Sequence, residues 1–128
     1  MKARNLLLVL AAAVLFVAGC GSEPKTPEEV AEAVLMAQLE GDEDAIRKYC
    51  MDEHTVEKAI RESREIREEI KGGKVKLTYA RTEQRSDETT VVFFKAEMPD
   101  GTINESVKCR LRRRPAPEGK VPEWAAVY

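Results

Sequence analysis

The sequence has one histidine, no Cys-x-x-Cys pair, no glycine-rich phosphate loop and no nucleophile elbow. Each absence removes a class of chemistry. A single imidazole cannot build a histidine metal cluster, and without Cys-x-x-Cys there is neither a thioredoxin-type redox pair nor half of a zinc ribbon. The missing glycine loop excludes a phosphate cradle of the nucleotide-binding kind. Basic charge is not in excess either, with 21 Lys and Arg against 23 Asp and Glu, which argues against nucleic acid as a partner. The longest charge-free apolar run, Leu6 to Ala18, falls short of the roughly 20 residues that cross a bilayer core.

What is present begins with that short run. Lys2 and Arg4 form a positive start, the apolar segment follows, and small residues lead into Cys20, which is the layout of a secretory signal. Within "VLFVAGCGSEP", residues 14–24, the stretch Val17-Ala18-Gly19-Cys20 resembles the bacterial lipobox. There the peptidase cuts before a cysteine that already carries a diacylglycerol. The resemblance implies that residues 1–19 are a leader, that Cys20 is the lipidation site, and that residues 20–25 are a short lipidated tether to the membrane. Several acyl chains hold a protein stably where one does so only marginally. The competing reading is a plain secreted protein with an incidental cysteine. Gly21 is not the Asp that retains lipoproteins in the inner membrane of enteric bacteria. The expected location is therefore the cell envelope: the outer membrane facing the periplasm in a host that has one, otherwise the outer face of the cytoplasmic membrane.

Removing residues 1–19 from the 128 leaves 109 residues, enough for one domain, 26–128. Lys2 and Arg4 leave with the leader, so the mature chain is mildly acidic at −4. Of the three cysteines, lipid would consume one and leave Cys50 and Cys109. In an exported protein an even remainder points to a disulfide; two buried free thiols are the alternative.

Thr26-Pro27-Glu28-Glu29 marks a helix start, with Thr as N-cap, Pro at the first helical position and Glu at the third. Val30, Ala33, Val34 and Ala37 recur at helical spacing before Gly41. Asp42 caps a second helix whose Ile46, Tyr49 and Cys50 share a face. Thr55 is expected to cap a third, with Val56, Ile60, Ser63 and Ile70 in one stripe shared with either Arg67 or Ile66, ended by Gly72-Gly73. The period then changes to two. Val75, Leu77 and Tyr79 alternate with polar residues; after Arg85-Ser86-Asp87, Val92, Phe94, Ala96 and Met98 share a face; after Pro99-Asp100-Gly101, so do Ile103, Val107, Cys109 and Leu111. Trp124 to Tyr128 reads as the closing strand.

Three helices followed by four strands predict an α+β domain, with N-terminal helices on one face of a curved antiparallel four-stranded sheet. The stretch "TPEEVAEAVLMAQLEGDEDAIRKYC", with a meander closing at "VPEWAAVY", resembles the small lipoprotein domains of unknown function in the nuclear transport factor 2-like, or cystatin-like, superfamily. That resemblance implies a cone able to enclose a pocket. In catalytic relatives the pocket holds an Asp base with a Tyr and an acid as oxyanion donors, and no such set maps onto this chain. Members usually place Gly-Lys directly before the Trp, whereas here Val121-Pro122-Glu123 intervenes.

Candidate chemistry is sparse. Asp52, Glu53 and His54 form the sole acidic cluster with a histidine, best read as a polar connection capping a helix rather than a metal site. Arg112-Arg113-Arg114 is the densest basic run, yet adjacent strand residues point to opposite faces; contact with anionic headgroups is its functional alternative. Tyr79, Phe93, Phe94, Met98 and Trp124 supply core and pocket lining together, undivided by sequence. The expected function is a membrane-anchored envelope lipoprotein that is no enzyme, needs no cofactor or metal, and binds a protein partner or a small apolar ligand. An isomerase- or dehydratase-like enzyme and a structural assembly accessory are the alternatives.

Overall fold

The first helix is written by its cap. In the computed structural model, which describes residues 24–116, 118 and 123–128, the Thr26 hydroxyl accepts the Glu29 N–H at 3.1 Å and Glu29 accepts the Thr26 N–H at 3.0 Å. This reciprocal box opens α1 (Pro27–Glu40), and Gly41 closes it in the left-handed region at φ 73°. Buried on α1 are Val30, Ala31, Val34, Ala37 and Gln38; Ala33, expected inside, is half-buried.

Asp42 caps α2 (Glu43–Tyr49) by accepting the Ala45 N–H at 3.1 Å. The long helix α3 (Glu53–Ile70) starts earlier than expected. Asp52, not Thr55, is its cap, accepting the Thr55 N–H at 2.8 Å, while Thr55 is buried in the first turn. An aspartate accepts this bond better than a threonine, and Thr55 then serves the interior. α1 packs on β2 (Thr89–Glu97), β3 (Ile103–Arg113) and β4 (Trp124–Val127), and α3 packs on α1 and α2.

With β1 (Lys76–Gln84) these strands form one antiparallel meander in the order β1-β2-β3-β4. The coarse architecture is thus three helices on a four-stranded sheet. Turns behave as their residues dictate. Ser86 accepts the Glu88 and Thr89 N–H groups between β1 and β2, and Gly101 at φ 90° with Asp100 bonded to Thr102 turns β2 into β3. Cys50 adds a parallel bridge to Ala126, so the end of α2 runs along the free edge of β4.

Two bulges bend the sheet. One lies between Tyr79 and Arg81 on β1. The other sets Glu105 and Ser106 of β3 against Lys95 alone, since Phe94 pairs with Val107 and Ala96 with Asn104. The extra residue reverses the alternation. Ile103 therefore leaves the face of Val107, Cys109 and Leu111 and is 61% exposed, a correction to the strict two-residue period, while Asn104, itself exposed, takes the face of its partner Ala96. The core between sheet and helices centres on Phe94, Ile46, Leu111, Val30 and Val92.

Candidate functional site

Where α3 ends, the helical layer and the sheet do not close completely. A cleft of about 320 Å³ lies there. Its floor is Leu77, Ala96 and Val107, on three successive strands; Leu35 and Leu39 of α1 form one wall, and Ile66 with Glu69 of α3 another. The small side chain of Ala96 leaves room at the centre. Ile66 takes the cleft side of α3, while the Arg67 guanidinium lies against Gly41, so the sequence stripe divides between the two positions it left open.

Polar groups at the cleft are few and largely engaged. Gln38 donates its side-chain amide to the Ala59 carbonyl at 3.1 Å, and its backbone carbonyl accepts the Ser63 hydroxyl at 2.5 Å. Asn104 accepts the Ser106 N–H at 2.9 Å and Thr102 donates its hydroxyl to Asp100 at 2.6 Å. Glu69, exposed at the rim, is the one titratable group among the lining residues. The arrangement suits an apolar molecule held by contact and oriented by a few amide and hydroxyl groups.

Of the five aromatic and methionine residues expected at a pocket, Met98 lines this cleft. Phe94 is fully buried core. Tyr79 is 51% exposed, set edge-on to Phe94 with ring centroids 6.2 Å apart. Phe93 faces outward beneath Arg81, whose guanidinium stands 3.9 Å from the ring centroid, and Trp124 is half-buried beneath Arg113 at 4.8 Å. Leu35, Leu39 and Asn104 went unread. An i, i+4 leucine pair beside the main α1 stripe was their available signal; Asn104 had none, because only the bulge brings it in.

Cys50 and Cys109 both line a second, smaller cavity of about 200 Å³, with Gln38, Ala59, Ala126 and Tyr128 among its walls. Both are buried and both are free thiols, which corrects the expected bridge. The reason is that β4 stands between them. Cys50 bridges Ala126, Ala126 pairs with Leu111, and Cys109 lies two residues before Leu111. Two strand spacings and two residues of rise separate the backbones by about 11 Å, against the roughly 7 Å a disulfide can span. Burial pushes the Cys50 thiol up to about 11, against the opposing pull of Arg114, and the Cys109 thiol up to about 12. Both stay protonated at neutral pH, unlike a nucleophilic cysteine.

The acidic cluster resolves into single tasks. Asp52 caps α3, and the Thr55 N–H holds its carboxyl below the usual carboxylate range; Glu53 pairs with Arg47 at 3.4 Å; His54 is exposed. Among the described residues no three His, Cys, Asp or Glu side chains are grouped to hold a metal. The arginine run also divides: Arg112 pairs with Glu88, Arg113 covers Trp124, and Arg114 donates to the Lys48 and Cys50 carbonyls at 2.7 and 2.8 Å, tying β3 to the end of α2. Cys20 and the lipobox lie outside the described residues, and among those described no helix is long and apolar enough to cross a membrane.

No protein-family model, curated protein or solved structure matches the chain.

Proposed function

We propose that this protein is a cell-envelope lipoprotein, anchored through lipid on Cys20, whose domain belongs to the nuclear transport factor 2-like (cystatin-like) cones and holds a small apolar ligand without catalysing a reaction. The cleft carries the reading: about 320 Å³ of space walled chiefly by aliphatic side chains, near the lower end of the range that encloses small molecules. Its lining offers a ligand mainly hydrophobic contact, with Glu69 at the rim as its one titratable group. Helices on a bent antiparallel meander support the cone assignment. The leader, the lipobox resemblance and the short tether support the anchor.

The test uses the mature protein in neutral nanodiscs, titrated with a fluorescent naphthylamine. Saturable binding at one probe per chain is expected, weakened at least tenfold by Ile66→Trp and by Val75→Trp, both half-buried and able to fill the cleft from its sides. Absence of saturable binding above the empty-disc background, or binding indifferent to both changes, defeats the ligand reading; a protein partner captured on the same surface would replace it. For the anchor, wild type is expected to label with palmitate and partition into detergent, and Cys20→Ala to do neither.

A further inference from the structure

The outer face of the sheet carries positive charge on an otherwise acidic domain. Cross-strand pairing puts Arg81, Phe93 and Lys108 in one row, Glu83, Val91 and Arg110 in the next, and Thr89 beside Arg112 in the third. Arg85 joins the third row by donating its backbone N–H to the Thr89 carbonyl at 2.9 Å. Arg85, Arg110 and Arg112 line one pocket of about 350 Å³ with Thr89, Val127 and Asp52.

The charges in that pocket do not balance. The Asp52 carboxylate is committed to the start of α3. Arg85 leans on Glu83 at 3.1 Å, a carboxylate it shares with Arg81 at 3.0 Å, and Arg112 leans on Glu88 at 3.2 Å. Both glutamates belong to exposed pairs, which contribute little, and neither lines the pocket. Arg110 has no ion pair among the described residues. Three guanidiniums lining one pocket with a single carboxylate, Asp52, repel one another unless a further anion sits among them. Their planar forks match a phosphate, which accepts paired N–H donors.

We infer that the Arg85–Arg110–Arg112 pocket binds a phosphate group, supplied either as free phosphate or a phosphomonoester, or as the headgroup of an anionic phospholipid. The second source fits the position of the start of α1. Thr82 donates its hydroxyl to Glu28 at 2.6 Å, so α1 begins over the last residues of β1, close in sequence to Arg85. The start of α1 thus stands three residues along the chain from Arg85. This headgroup source rests on the lipid-anchor reading; the free-phosphate source does not.

The experiment measures protection of the three arginines from phenylglyoxal by mass spectrometry, on the full processed chain. One arm uses an uncharged detergent with inorganic phosphate titrated against chloride at equal ionic strength; the other uses nanodiscs of phosphatidylglycerol or phosphatidylcholine. Saturable protection by phosphate identifies the free anion as a ligand, and protection confined to phosphatidylglycerol discs identifies the headgroup. In either case Arg110→Ala, which breaks no native ion pair, should weaken protection of Arg85 and Arg112 at least tenfold, and Arg110→Lys should restore part of it. Protection equal in chloride and phosphate together with equal protection in the two lipids overturns the proposal, as does protection unchanged by Arg110→Ala. Failure of the chain to float with the discs counts against the anchor alone, because the detergent arm reads the pocket without it.

Discussion

The hydroxyl of Tyr128 donates to the carboxylate of Glu62, joining the residue after β4 to the middle of α3, while the Lys58 ammonium stands 4.8 Å from the centroid of the same ring. Tyr128→Phe keeps the ring and removes the bond. A hydrogen bond to a charged acceptor at a partly exposed site should contribute about 1 kcal/mol. Urea unfolding of Tyr128→Phe, Glu62→Gln and the double variant should show each single change costing about that much and the pair costing less than the sum. Fully additive losses would mean that the two side chains do not cooperate.

Much of the local structure is legible because it depends on neighbours in sequence. The Thr26–Glu29 box, the glycine at position 41 and the turn at Asp100-Gly101 need only a few consecutive residues to form. The cleft depends on what lies far away. Ile66, Leu77 and Val107 meet only after three elements have packed, and Asn104 joins them only because β3 carries one residue more than β2 at its bulge. A period of two has no means of announcing that residue. The cysteines show the same limit in another form, since both faces were inward as read and yet a whole strand lies between them.

Gly41 should resist substitution. Its φ of 73° is costly for any residue with a Cβ, and an added Cβ would sit 2.7 Å from the Arg67 guanidinium carbon. Gly41→Ala is expected to destabilise by about 1 kcal/mol from the backbone, lowering the melting temperature by about 4–8 °C in a domain of this size. An unchanged melting temperature would show that the α1–α2 joint relaxes freely.

Two thiols should be present per mature chain in addition to any lipid thioether. A maleimide is expected to leave Cys50 and Cys109 unmodified in the folded protein and to label both once it is unfolded without reductant, and dithiothreitol should leave the melting temperature unchanged. Mass spectrometry counts the labels. An unfolded, unreduced chain that takes none would restore the disulfide.

The same burial makes stability depend on alkaline pH. Folded Cys50 and Cys109 hold their protons to about 11 and about 12 because burial penalises the thiolate, whereas in the unfolded chain a thiol ionises near 8.5. A raised folded value means the contribution is fully present below about 8.5 and is lost as pH climbs toward the folded values. In that window the unfolded chain holds fewer protons, so unfolding stability falls by at most about 1.4 kcal/mol per pH unit for each thiol. Tyr128 acts in the same direction, since burial and then its bond to Glu62 raise the phenol, but only above the ordinary tyrosine value of about 10. Urea midpoints measured from pH 7.5 to 10 should therefore hold steady at first and then decline. In a Cys50→Ala, Cys109→Ala protein, less stable at neutral pH for want of two core side chains, the decline between pH 8.5 and 10 should flatten. A slope equal in both proteins would assign the alkaline loss to other groups and leave the thiols without a part in it.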